Sequence, residues 1–213
     1  MTRLSASILS ADWLHLGDDI RRVEEGGCDC IHIDITDGHF VPNITMGVDI
    51  TEAVCEMTKL RTDVHLMIDN PEDFIHKFAN VGADMIFFHA EATVHPFEMI
   101  KYIRETGKQI GVALDPATPI DTVKPYLHAV DAVNQIAVCV GFGGQSYIEA
   151  TDEKIRELAA ARKELGLNFE IQVDGGINTG NAHEKLALGV DTLIAGTMFF
   201  ESDDVHQVVN KLK

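Results

Sequence analysis

The feature that most constrains this chain is an alternation. Short apolar runs, most of them rich in β-branched residues, recur at Leu4–Leu9, Cys30–Ile35, Asp63–Ile68, Met85–Phe88, Ile110–Leu114, Ala132–Val138, Glu170–Val173 and Thr192–Ala195. Runs of this kind read as parallel strands covered on both faces. The longer stretches between them read as helices. Trp13–Glu25, Pro71–Val81, Pro96–Thr106 and Thr151–Leu165 carry apolar residues at spacings of three and four. Pro71 and Pro96 suit a first helical turn, and Gly107 and Gly166 suit helix ends.

Strict alternation of strand and helix implies a parallel sheet covered by helices. The 213 residues hold about eight such units of ~27 residues each, which favours a closed (β/α)8 TIM barrel. An open doubly wound sheet would usually carry GxGxxG after its first strand, and that motif is absent there. No Pro/Gly/Ser-rich linker divides the chain, so residues 1–213 are expected to form a single α/β domain.

Charge narrows the partners. Lys plus Arg number 17 against 34 Asp plus Glu, a formal charge of −17. A nucleic-acid binder or an anionic membrane partner calls for basic patches, so neither is expected. An anionic small molecule is not excluded, because one local site can oppose the global field. No apolar run approaches the ~18 residues of a membrane span. Met1–Asp12 lacks a signal-peptide apolar region, and the four cysteines show no CxxC spacing. A cytoplasmic protein with reduced thiols is the expectation.

In such a barrel the chemistry lies at the C-terminal ends of the strands. His32 and Asp34 stand two apart on one strand, so they share a face. His65 and Asp174 approach the same region from the third and seventh strands. Charged groups facing a barrel interior need compensation. Either a divalent metal (zinc, iron(II), manganese or cobalt) or a hydrogen-bonded His–Asp network provides it. Gly141–Gly144, Gly175-Gly176 and Gly196-Thr197 follow the last three strands. Each alone is a tight turn; together they point to a phosphate cradle of backbone N–H groups. No lysine ends a strand, which argues against Schiff-base chemistry. His39 and His89 fall near the same end, with structural and catalytic roles both open, and Asp37 and Asn43 read as supporting groups or turn formers.

These residues lie in motifs that resemble one family. Ser7-Ile8-Leu9-Ser10-Ala11-Asp12, His32-Ile33-Asp34, Asp37-Gly38-His39-Phe40-Val41-Pro42-Asn43, Asp63-Val64-His65-Leu66-Met67, Gly141–Gln145 and Asp174-Gly175-Gly176-Ile177 resemble the ribulose-phosphate 3-epimerase family, in order and over nearly the whole chain. The resemblance implies one divalent metal per subunit on His32, Asp34, His65 and Asp174, with Asp34 and Asp174 as the acid/base pair. It implies that Ser7 and His65 contact substrate. Gly141, Phe142, Gly143, Gly144, Gly175, Gly176, Gly196 and Thr197 would hold the phosphate of a ketose phosphate. The implied reaction interconverts D-ribulose 5-phosphate and D-xylulose 5-phosphate, and the implied assembly is a homo-oligomer. The chain departs from the family pattern at Thr36 and Ile136, usually Met, at Ala137, usually Thr, and at Ala6 and Val140, usually Pro. Those changes alter the wall beside Met67. They keep a related substrate, such as D-allulose 6-phosphate, and a non-catalytic sugar-phosphate binder in view as alternatives.

Overall fold

The computed structural model describes residues 2–213. Eight parallel strands close in sequence order into a barrel. They are β1 (Arg3–Ser7), β2 (Cys30–Thr36), β3 (Arg61–Met67), β4 (Met85–His89), β5 (Gln109–Leu114), β6 (Ala132–Ile136), β7 (Glu170–Asp174) and β8 (Thr192–Ala195). The closing pair is β1 with β8, with Arg3 beside Thr192 and Ser5 beside Ile194.

Strand parity decides what lies on each side. On β2, Ile31, Ile33 and Ile35 pack outward into the layer between sheet and helices. Val64 and Leu66 of β3, Ile86 and Phe88 of β4 and Val112 and Leu114 of β5 join that layer. Each such side chain, fully buried, contributes ~1.5–3 kcal/mol. The other parity points inward, which explains why His32 and Asp34 can be wholly buried on the same strand. The helices are α1 (Leu16–Glu25), α2 (Val48–Met57), α3 (Ile75–Asn80), α4 (Pro96–Glu105), α5 (Thr151–Glu164), α6 (Ala182–Ala187), α7 (Thr197–Phe200) and α8 (Val205–Leu212).

Two expected helices are altered. The stretch expected as one helix over Pro71–Val81 is a 3-10 turn at Pro71–Asp73 followed by α3. Between β5 and β6 there is no α-helix, only 3-10 turns at Ile120–Thr122 and Lys124–Ala129. Pro125 lies inside the second turn and has no N–H to donate, which disfavours a continuous helix.

One regularity spans every second unit. Asp29, Asp84, Asp131 and Asp191 each precede an even-numbered strand. Their carboxylates accept the N–H of Leu4, Thr62, Ile110 and Ile171, near the starts of the odd-numbered strands, at 2.8–2.9 Å. Part of the acidic excess therefore pins the N-terminal rim, in addition to covering the outer helices.

The barrel interior has two charged ends and an aromatic plug between them. Near the N-terminal end, Arg61 donates to Asp63 at 2.8 Å and to Glu170 at 3.1 Å, and Arg3 reaches Glu170 at 2.6 Å. Above these, Phe87 packs with Met85 and Ala132 in a small cluster separate from the main core. Gly111 on β5 makes room for it: a Cβ there would lie 2.2 Å from the Phe87 ring. Among the described residues no helix is long and apolar enough to cross a membrane.

Candidate active site

Parallel register sets the first contact. Asp34 on β2 lies beside His65 on β3, and both point inward. His65 Nδ1 is 3.0 Å from Asp34 Oδ1 and 3.8 Å from Asp174 Oδ2. His32 Nε2 is 3.3 Å from His65 Nδ1, 3.5 Å from Asp34 Oδ1 and 3.6 Å from Asp174 Oδ2. One potential ligand atom from each of the four residues falls within 4.8 Å of all the others. The closer separations bracket the ~3.3 Å edge of a tetrahedron with bonds of 2.0–2.1 Å to a transition ion. Two imidazoles and two carboxylates also suit such an ion chemically. The donor set therefore fits a divalent cation.

Electrostatics separate the two aspartates. Burial pushes Asp34 up, but His32 and His65 outweigh that and hold its carboxyl below the usual range. Burial pushes Asp174 up, His32 opposes this, and the charge of Asp34 adds to the rise. Burial pulls the His32 imidazole down, yet Asp34, Asp174 and Asp63 outweigh it and hold its pKa up at about 9.

The surroundings orient the cluster. Ser7 Oγ donates to Asp34 Oδ2 at 2.7 Å. Thr45 Oγ1 donates to the Asp34 carbonyl at 2.6 Å. His65 Nε2 lies 2.9 Å from His89 Nε2, and His89 Nδ1 lies 3.1 Å from Glu91 Oε2. Burial pushes His89 down to about 4. Burial raises Glu91, but hydrogen bonds with His89, Thr118 and the Asp115 N–H outweigh it and hold the carboxyl at about 2.

A cleft opens above the cluster. Its floor includes Ser7, Asp34, His65 and Asp174, and its rim includes Gly141, Phe142, Gly143, Gly144, Gly175, Gly176, Gly196 and Thr197. The three glycine turns expected to converge do so. Gly176 has φ +68, and a Cβ there would lie 2.4 Å from the Tyr147 backbone nitrogen, so the turns after β6 and β7 touch directly. Asn43 donates to the Gly141 carbonyl at 2.8 Å, tying the β2 loop to the same rim. Among the described residues the cleft lining contains no Lys or Arg.

Several sequence readings resolve here. Asp37 is a turn former: its carboxylate accepts the N–H groups of His39, Phe40 and Asp69. His39 is exposed, whereas His89 is fully buried against His65. Thr36 is buried, but its hydroxyl meets Thr45 at 3.3 Å and it is absent from the cleft lining. The wall is instead Met67, Ile136, Val138 and Val140. Glu91 and Thr45 were not singled out by sequence. The only signal for Glu91 is its place two residues after the histidine that ends β4.

Fold and site together define a class: a TIM barrel with a buried His/Asp cluster that could hold a metal ion, beneath a glycine-lined cleft. The ribulose-phosphate 3 epimerase family model matches residues 3–200. The chain is 42% identical to the ribulose-phosphate 3-epimerase of Bacillus subtilis, over all of this chain and 99% of the relative. It is 43% identical to that of Methanocaldococcus jannaschii, over all of this chain and 90% of the relative. The chloroplastic ribulose-5-phosphate-3-epimerase of Arabidopsis thaliana is 40% identical over 99% of this chain and 75% of its own. The chain belongs to the ribulose-phosphate 3-epimerase family. Its fold also superposes on 3-hexulose-6-phosphate synthase from Salmonella typhimurium, with TM-score 0.76, 18% identity and coverage of 99% and 96%. At that identity the likeness speaks for the fold alone.

Proposed function

We propose that this protein inverts C3 of a ketose phosphate, interconverting D-ribulose 5-phosphate and D-xylulose 5-phosphate. The observation that carries the reading is the convergence of Asp34 from β2 and Asp174 from β7 on one cluster, under the glycine cradle.

The hydrogen at C3 lies α to the ketone, so it is acidic enough to be exchanged through an enediolate. Inversion requires removal from one face and return on the other. Asp34, held ionised, is suited to take the proton. Asp174, pushed toward its neutral form, is suited to deliver one. In the reverse direction the two exchange roles. Ser7 holds Asp34 by its Oδ2, leaving Oδ1 toward the cluster. A divalent ion held by His32, Asp34, His65 and Asp174 would supply positive charge to the developing enediolate oxygens. Backbone N–H groups at Gly143, Gly144, Gly176 and Gly196-Thr197 support the phosphate without a basic side chain. That accounts for a dianionic substrate on a chain of charge −17.

The test is a panel of ketose phosphates, D-allulose 6-phosphate included, ranked by kcat/KM and by exchange of the C3 hydrogen with deuterated water. Exchange at C3 with a preference for D-ribulose 5-phosphate is expected. Binding of every member without exchange would make the protein a sugar-phosphate binder instead.

A further inference from the structure

The geometry points to a positioning role for Glu91 and His89: together they fix which nitrogen of His65 faces the reaction centre. The inference rests on the reading above that His65 belongs to that centre. It follows from counting protons.

A neutral imidazole has one N–H and one bare nitrogen. Glu91 Oε2 is 3.1 Å from His89 Nδ1, and an ionised carboxylate only accepts. His89 must therefore carry its hydrogen on Nδ1, which leaves its Nε2 bare. That bare nitrogen lies 2.9 Å from His65 Nε2, so His65 must donate from Nε2. With a cation at the cluster, His65 then presents the lone pair of Nδ1 to it. Nδ1 is the atom that lies 3.3 Å from His32 Nε2 and 3.0 Å from Asp34 Oδ1. Were the chain reversed, a hydrogen on Nδ1 would occupy one of the four donor positions of the cluster.

The chain is held against rotation and against water. His89 is fully buried, its ring 22° from the plane of His65 with centroids 5.0 Å apart, edge to edge along the Nε2–Nε2 contact, and Phe40 lies against it at 4.9 Å. Glu91 sits in a 3-10 turn after β4 and is fixed by a third element. Its Oε1 accepts the Asp115 N–H, just beyond β5, at 2.9 Å. Three consecutive strands thus set one tautomer. Partners of this kind typically change metal affinity by 10–100-fold when removed.

The direct test is NMR of the metal-free and zinc-loaded protein carrying 15N-labelled histidine. The expected pattern is His89 with hydrogen on Nδ1 and a bare Nε2, and His65 with hydrogen on Nε2. His89 found with its hydrogen on Nε2, or as a mixture of tautomers, overturns the proposal. A second measurement titrates cobalt(II) by its visible absorption. His89→Phe keeps a ring but removes the acceptor, and should weaken binding about 10–100-fold. His89→Gln, whose amide oxygen can accept from His65, should recover most of it. Unchanged affinity in His89→Phe overturns the proposal. If these variants do not fold, the wild-type tautomers decide. Failure of the wild-type protein to bind cobalt(II) would sink the metal reading, while the metal-free spectrum still judges the His65–His89–Glu91 chain.

Discussion

The two ends of the barrel interior carry buried charge in opposite ways. At the N-terminal end, Arg3 and Arg61 answer Asp63 and Glu170 within the chain. At the C-terminal end, the only ion-pair partners of Asp34 and Asp174 among the described residues are His32 and His65. The first cluster is closed: its cations and anions match. The second has two carboxylates and no fixed cation, so it requires protons or an ion from outside. The carboxylates are buried to a similar degree at both ends. What distinguishes structure from chemistry here is whether the compensation is built in.

That contrast can be broken from either side. The largest effect is expected at the open end. Asp34→Asn and Asp174→Asn should each lower epimerisation at least ~10³-fold, with the far-ultraviolet circular dichroism unchanged. Wild-type-like turnover in either would remove the acid/base assignment. At the closed end the loss should fall on stability. Arg61→Met leaves Asp63 and Glu170 short of a partner and should cost about 3–5 kcal/mol in urea unfolding, with kcat retained. Equal loss of stability and kcat would mean the ends are not separate. Chelation should reduce turnover about 10²-fold, with recovery on adding a divalent ion, and should leave the closed end untouched. Full activity in protein shown to be metal-free by elemental analysis would contradict this.

The smallest effect concerns pH. In the metal-free protein His32 holds its proton up to about 9, above the ordinary 6.5 of histidine. Its share of folding stability is therefore complete below 6.5 and lost as pH rises through 9. An incoming ion must displace that proton. Apparent metal affinity should then rise roughly tenfold per pH unit between 7 and 9 and level off above. Affinity independent of pH in calorimetric titrations would show that His32 is neutral before the ion arrives.

Much of this arrangement is legible in the sequence because parallel strands covered on both faces leave long β-branched runs. Once the strands are placed, parity alone pairs His32 with Asp34. The glycine turns are legible because each follows a strand. The rest needs geometry. Asp29, Asp84, Asp131 and Asp191 form a fourfold pattern, but one residue repeated at every second unit is lost among 34 acidic residues. Glu91 becomes significant only because a 3-10 turn after β4 brings it back to His89. Thr36 reads as a polar addition to the substrate wall, until the β2 loop places Thr45 against it.

The Phe87–Gly111 contact has a consequence for how this sequence can drift. With a Cβ at 111 only 2.2 Å from the ring, no other residue fits there while Phe87 stays where it is. Replacement of Phe87 by something smaller must come first, and a side chain at 111 can follow. The reverse order passes through a chain with an obstructed barrel. The two positions should thus change in a fixed order along any lineage.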